Sequence, residues 1–154
     1  MRVNGSWLYG EDGVIRPIVP GAVRLANGEW LEVSFLLDAG ADRTVFSARF
    51  LHRLRNLSTD SAQILLAGVG GRADSITIET AIGFVRDDGQ MVTVRGTFGL
   101  FTKGESADLS ILGRDVTNNF SVIYDYPGQT IALLAPPHSY EINGYDSIKP
   151  RPHQ

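Results

Sequence analysis

Residues 35–46 read FLLDAGADRTVF, and our prediction of the fold starts from this stretch. Three apolar residues lead straight into Asp38, and the small residues Ala39, Gly40 and Ala41 follow. An apolar run that ends in a carboxylate and a small-residue turn is typical of a buried strand that delivers an acid to a loop. Burying a carboxylate costs several kcal/mol unless it is paired or neutralised, so we interpret Asp38 as a functional residue rather than an ordinary turn residue.

The composition narrows the classes of function. A chain of 154 residues is long enough for one domain with a buried core. Its net charge of −3 argues against a nucleic-acid binder with a broad basic surface. The absence of cysteine excludes disulfides, zinc–thiolate sites, iron–sulfur clusters and a cysteine nucleophile. His52, His138 and His153 lack the spacing of metal ligands, so we expect no metal and no cofactor.

The expected location follows from patterns at the N-terminus and in the apolar runs. The first residues lack the basic, apolar and small-residue succession of a signal peptide. No apolar run approaches the ~20 residues that a membrane-spanning helix needs. We therefore expect a cytoplasmic soluble protein with no membrane partner.

Alternating apolar residues separated by turn signals predict an all-β domain over residues 1–134. We expect a closed, mostly antiparallel barrel with one or two short helices. The helices are expected at 47–57, with Ser47 as the N-cap, and at about 113–119. The strands are expected at 6–9, 14–18, 22–26, 30–37, 44–46, 63–67, 75–80 with 82–85 continuing it, 91–101, 109–112, 120–124 and 130–134. Glycine-containing turns are expected at Asn27-Gly28 and at 87–89.

Prolines set two further expectations. Pro17 and Pro20 should confine the strands near them to sheet edges or strand starts, because proline cannot donate a backbone hydrogen bond. Residues 135–154 contain Pro136, Pro137, Pro150 and Pro152, and we expect this C-terminal tail to wrap the surface or to be disordered.

The glycine-rich stretch Gly68, Val69, Gly70 and Gly71 has two readings, a hairpin tip or a phosphate-binding loop. A phosphate-binding loop needs a following helix with Lys and Ser or Thr. The next segment, 75–80, instead alternates like a strand. The sequence therefore predicts a hairpin tip.

Three motifs together resemble the retroviral-type aspartic proteases, the retropepsins. LLDAGADRTV at 36–45 resembles their catalytic loop, AGVGG at 67–71 their flap tip, and ILGRD at 111–115 their C-terminal strand-into-helix motif. Order and spacing agree, and the resemblance covers about 23–134. It implies a retropepsin-like barrel with a glycine-rich flap hairpin and an aspartic endopeptidase activity. Since a single suitable Asp is present, it also implies a homodimer in which Asp38 from each subunit forms the catalytic dyad.

The resemblance assigns roles to further residues. Gly40, between Ala39 and Ala41, lets the active-site loop turn tightly. Asp42 corresponds to a residue that binds the substrate backbone, and the segment 68–71 closes over an extended peptide or protein substrate, with Val69 at the apolar tip. Arg114 corresponds to an arginine that pairs with Asp42 and ties the helix to the loop; its alternative is an ordinary surface cation.

One departure from the retropepsin pattern leaves a second function open. Retropepsins usually carry Thr or Ser where this chain has Ala39, and that hydroxyl bonds across the dimer axis. Its loss removes about 1 kcal/mol per net hydrogen bond. The alternative is therefore a weak or inactive relative that binds extended peptides or acts as a dimerisation module. A third reading is a small barrel that binds another ligand and uses Asp38 as a turn residue.

Overall fold

The computed structural model describes residues 1–59, 64–68, 71–103 and 109–136. Within these residues the chain forms ten strands and two short helices, which confirms the predicted all-β class. The strands are β1 (Arg2–Tyr9), β2 (Ile15–Arg24), β3 (Trp30–Leu37), β4 (Val45–Phe46), β5 (Ile64–Gly68), β6 (Gly71–Val85), β7 (Met91–Phe101), β8 (Ser110–Leu112), β9 (Ser121–Asp125) and β10 (Thr130–Leu134). The helices are α1 (Leu51–Leu54) and α2 (Arg114–Thr117).

Six of the strands pair in a closed ring. β2 pairs with β3, β3 with β8, β8 with β4, β4 with β7, β7 with β6, and β6 returns to β2. The pairs β3–β8 and β4–β7 are parallel, whereas the others are antiparallel. A ring of pairings without an open edge is the arrangement expected for a barrel.

The inside of the ring is filled by aromatic and aliphatic side chains. In β3 the alternating residues Val33, Phe35 and Leu37 are buried, as a strand with one face on a core requires. The ring of Phe35 packs at 5.7 Å from that of Phe46 and at 6.1 Å from that of Phe84. The apolar run before Asp38 is thus an interior wall, which fixes the point at which the chain leaves the barrel.

Outside the ring, β1, β10 and β9 extend the sheet on the β2 side. The first half of β1 pairs with β10 over Arg2 to Gly5, and its second half pairs with β2 over Ser6 to Tyr9. β10 then pairs with β9, the outermost strand of the sheet. This extension joins the two ends of the domain to the barrel.

The expectation that Pro17 and Pro20 confine their strands to edges or strand starts is wrong. The two predicted strands at 14–18 and 22–26 are one strand, β2, which has neighbours on both sides. Pro17 lies before the pairing with β3 begins at Ile18, and Pro20 lies after the pairing with β1 ends and before that with β6 begins at Ala22. Each proline therefore occupies a point with a partner on one side, where a missing N–H is tolerated.

The predicted helix at 47–57 is a succession of three short pieces. A 3₁₀ turn covers Ala48–Phe50, α1 follows, and a second 3₁₀ turn covers Arg55–Leu57. Ser47 is the N-cap as predicted, since its side chain accepts a hydrogen bond from the amide of Arg49 at 3.4 Å. The helical path is confirmed, although it is less regular than its apolar spacing suggested.

Two glycine turns follow the expectation. Gly28 and Gly89 adopt φ angles of +85° and +80°, which a residue with a Cβ rarely adopts. They end the turns that join β2 to β3 and β6 to β7. The predicted tail beyond residue 136 lies outside the described residues. In the described part of the chain, no helix has the length and apolar character needed to cross a bilayer.

Candidate active site

The site is built where two parallel strands end side by side. β3 and β8 pair in register from Phe35 with Ser110 to Leu37 with Leu112. The amide of Asp38 continues this ladder by donating to the carbonyl of Leu112 at 3.2 Å. Since parallel strands point the same way, the loop after β3 and the residues after β8 meet at one end of the barrel. The structure thus brings together two of the three sequence motifs, 36–45 and 111–115.

Asp38 is half-buried at the start of a tight loop. Its Oδ1 accepts a hydrogen bond from the amide of Gly40 at 2.8 Å, and its carbonyl accepts one from Ala41 at 3.2 Å. A Cβ added to Gly40 would lie 3.2 Å from this Oδ1, so a side chain here would crowd the carboxylate. Ala39 and Gly40 are exposed, which leaves the loop accessible from outside the single chain.

The far end of the loop is fixed by a cluster that we call the clamp, formed by Thr44, Gly113 and Asp115. The carboxylate of Asp115 accepts from the amide of Thr44 at 2.9 and 3.0 Å and from its hydroxyl at 2.7 Å. The hydroxyl of Thr44 in turn accepts from the amide of Gly113 at 3.0 Å. Thr44 is fully buried, so these bonds satisfy polar groups that water cannot reach.

Glycine at 113 is required by close approach of the two loops. A Cβ there would lie 2.4 Å from the carbonyl carbon of Arg43 and 2.8 Å from the amide nitrogen of Thr44, both backbone atoms. The same approach lets the amide of Arg114 donate to the carbonyl of Ala41 at 2.9 Å. The α2 start and the Asp38 loop are therefore joined by main-chain bonds as well as by the clamp.

The structure places the guanidinium of Arg114 against the carboxylate of Asp42, as the pairing alternative predicted. The side chains are 50% and 81% exposed. An ion pair with this exposure contributes little to stability. Asp42 is also held through its main chain, because its carbonyl accepts a hydrogen bond from the amide of Asp115 at 3.2 Å.

Tyr124 is a residue at the site that the sequence did not reveal. Its hydroxyl donates a hydrogen bond to the carbonyl of Leu37, the residue before Asp38. Burial and, to a smaller extent, the negative charge of Asp38 raise the pKa of the Tyr124 phenol, because both disfavour the phenolate. Tyr124 and Leu37 are 87 residues apart, and nothing in either local sequence links them.

Gly68 and Gly71, the two ends of the glycine-rich segment, pair with each other in the antiparallel ladder of β5 and β6. The antiparallel pairing of β5 with β6 agrees with the hairpin that the sequence predicted. Val69 and Gly70, the predicted tip, lie outside the described residues. A role for this hairpin as a flap therefore stays a prediction.

Other features of the described residues do not coincide with this site. A groove of about 600 Å³ lies along the β2–β3 turn, the second 3₁₀ turn and the middle of β6, and none of the predicted site residues line it. Its lining includes Arg24, Asn56, Glu79 and Arg95. No cluster of three or more His, Asp or Glu side chains suited to a metal ion is found in the part of the chain that the structure describes.

Comparison with known proteins supports the assignment of the fold. No family model and no curated protein sequence matches the chain. Among solved structures, it is similar to a retropepsin-like aspartic protease from Rickettsia conorii, with a TM-score of 0.53 and 15% identity over 86% of this chain and 90% of that chain. The EIAV protease complexed with the inhibitor HBY-793 also matches, with a TM-score of 0.41 and 23% identity over 67% of this chain and 86% of that chain. The chain has a retropepsin-like fold.

Proposed function

We propose that this chain is an aspartic endopeptidase that acts as a homodimer. The observation that carries the proposal is Asp38 itself, a half-buried carboxylate on a small-residue loop at the end of the paired strands β3 and β8. The retropepsin-like fold supports it, and so does the clamp around Thr44, which fixes the far end of the loop. A fixed and accessible carboxylate is what acid–base chemistry on a peptide requires.

The reaction needs two carboxylates that share one proton. Aspartic proteases are the standard example of such a pair, in which mutual repulsion separates the two titrations. In the proposed dimer, one Asp38 is ionised. It takes a proton from a water molecule as the oxygen of this water attacks the peptide carbonyl carbon. The neutral Asp38 of the partner subunit donates its proton to the carbonyl oxygen. These two transfers give a tetrahedral gem-diol. When it collapses and the C–N bond breaks, the first Asp38 donates its proton to the leaving amine, and one hydroxyl proton of the gem-diol passes to the Asp38 of the partner subunit.

The substrate would be a peptide in an extended conformation. Asp42, held by Arg114, would accept a hydrogen bond from the substrate backbone, and the segment 68–71 would close over the peptide. Strand-like main-chain bonds of this kind bind many sequences, while side-chain pockets set preference. The dimer and the flap role of this hairpin are part of the proposal.

The test uses an unstructured, fluorescence-quenched peptide between pH 4 and 7, with an Asp38→Asn variant. Loss of Asp38 should lower turnover by at least ~100-fold, the scale of acid–base catalysis, and a statine-type inhibitor should stop the wild-type reaction. Asp88→Asn is the matched control, because this exposed aspartate lies in the β6–β7 turn. Cleavage that is the same in the Asp38→Asn and wild-type proteins would refute the proposal.

Ala39 favours a second candidate function, a catalytically weak protein that binds extended peptides or acts as a dimerisation module. An alanine at this position cannot form the hydroxyl bond that links the two loops of a retropepsin dimer. Ala39→Thr separates the two functions in paired activity and sedimentation measurements. A gain in turnover with tighter dimerisation in Ala39→Thr indicates a protease whose activity is lowered by Ala39. Binding of peptides without cleavage, in both wild type and Ala39→Thr, indicates a peptide-binding protein.

A further inference from the structure

The outermost strand of the sheet sends one side chain to the active-site loop. β9 pairs only with β10 among the described strands, and β10 lies three strands away from β3. Yet the hydroxyl of Tyr124 in β9 donates to the carbonyl of Leu37 at the end of β3. This contact spans the sheet extension and the barrel and ends one residue before Asp38.

The ring of Tyr124 is held in place from the other side. It packs edge-on against Trp7 of β1, with ring centroids 5.9 Å apart, and Trp7 packs in the same way against Tyr126 at 5.1 Å. Edge-to-face aromatic contacts fix the orientation of both rings. The phenol is therefore aimed at the loop by β1 as well as by β9.

We propose that Tyr124 is a positioning residue for Asp38. The clamp fixes the end of the Asp38 loop at Thr44, and the Tyr124 hydroxyl fixes its beginning at Leu37. In this chain Ala39 has no hydroxyl with which to hold the loop. The Tyr124 phenol supplies a hydroxyl bond to the carbonyl of Leu37, two residues before Ala39, within the same subunit. The inference rests on the proposed function for its effect on catalysis and on geometry alone for its effect on the loop.

The electrostatic setting agrees with this placement. Burial and the charge of Asp38 raise the pKa of the Tyr124 phenol, so the hydroxyl remains a hydrogen-bond donor to a higher pH than an ordinary tyrosine does. Removing the charge of Asp38 should bring the pKa of Tyr124 down toward its ordinary value. This coupling can be measured without any enzymatic reaction.

The experiment compares wild type, Tyr124→Phe and the matched control Tyr126→Phe in the full chain. Tyr126 packs on the same Trp7, but its hydroxyl interacts with Tyr9. For Tyr124→Phe we expect about fivefold lower kcat with little change in KM, and about fivefold faster amide exchange at Asp38 and Gly40, the factor that one net hydrogen bond supplies. The Tyr126→Phe control should leave both quantities unchanged.

A tyrosine NMR titration provides the readout that does not depend on activity. The pKa of Tyr124 should be lower in Asp38→Asn than in wild type, and this comparison stands even if Tyr124→Phe fails to fold. The inference would be overturned if Tyr124→Phe and wild type had equal kcat and equal rates of amide exchange at Asp38 and Gly40. It would also be overturned if the pKa of Tyr124 were the same in Asp38→Asn and wild type. If the wild type does not hydrolyse peptides, the proposed function fails, and exchange and titration still decide the role of Tyr124.

Discussion

Asp38 and Asp115 follow neighbouring parallel strands at the same end of the barrel, and their carboxylates accept different numbers of hydrogen bonds. Asp115 accepts three hydrogen bonds from Thr44 through its carboxylate. The carboxylate of Asp38 accepts one from Gly40 among the described residues. One carboxylate is thus satisfied by the fold, and the other retains acceptor capacity at an accessible loop.

This difference separates a structural acid from a chemical one. A carboxylate with most of its acceptor sites engaged by a buried threonine stabilises the loop and is less suited to exchange protons with a substrate. A carboxylate with one main-chain partner can bind water. The clamp therefore makes the loop rigid, whereas Asp38 is the group that can react. Five substitutions test this division.

Gly113→Ala should have the largest effect on stability. A Cβ at 113 would meet backbone atoms of Arg43 at 2.4 and 2.6 Å, so the two loops would have to separate. We expect a loss of about 3 kcal/mol or more in the free energy of unfolding, measured by urea denaturation. Gly96→Ala is the control, since its added Cβ would meet the ring of Phe98 and not backbone. Equal effects of the two variants would contradict close approach as the cause.

Asp115→Ala should mainly lower stability, whereas Asp38→Ala should mainly lower activity. Asp115→Ala leaves the buried Thr44 amide without an acceptor, so we expect a loss of about 2 kcal/mol in unfolding free energy. Asp38→Ala should change stability by less than about 1 kcal/mol while abolishing hydrolysis. Thermal melts and the peptide assay on both variants measure this. A larger stability loss for Asp38→Ala would break the comparison.

Thr44→Val tests the hydroxyl inside the clamp with little change in shape. The valine removes the acceptor of the Gly113 amide and a donor to Asp115, and keeps the Thr44 amide bond. We expect about 1 kcal/mol of destabilisation. Thr44→Ser keeps the hydroxyl and should lie closer to wild type in the same denaturation curves. If the serine variant is as unstable as the valine variant, the methyl group and not the hydroxyl matters.

Arg114→Gln should have the smallest effect on folding. The ion pair of Arg114 with Asp42 is largely exposed, so its loss should change the unfolding free energy by less than about 1 kcal/mol. If Asp42 binds substrate, KM should rise several-fold while kcat stays similar. Arg86→Gln, which breaks the partly exposed pair with Asp88 in the β6–β7 turn, is the control for KM. A fall in kcat without a change in KM would contradict a role in substrate binding.

Much of the fold could be predicted because it depends on local patterns. The limits of β7 and β10 agree with the alternation of apolar residues, and the turns at Gly28 and Gly89 agree with glycine's access to positive φ. The interpretation of β2 failed because the tolerance of Pro17 and Pro20 depends on which side of the strand has a neighbour. That information is absent from the local sequence.

The delivery of Asp38 by an apolar strand to a small-residue turn could be predicted from the amino-acid order, since apolar spacing and glycine conformation act over a few residues. The contacts that hold that turn could not be predicted in this way, because they form only when the chain folds. Thr44 meets Asp115 across 71 residues and Tyr124 meets Leu37 across 87, because strand order and register, rather than local composition, bring such distant groups within hydrogen-bond reach.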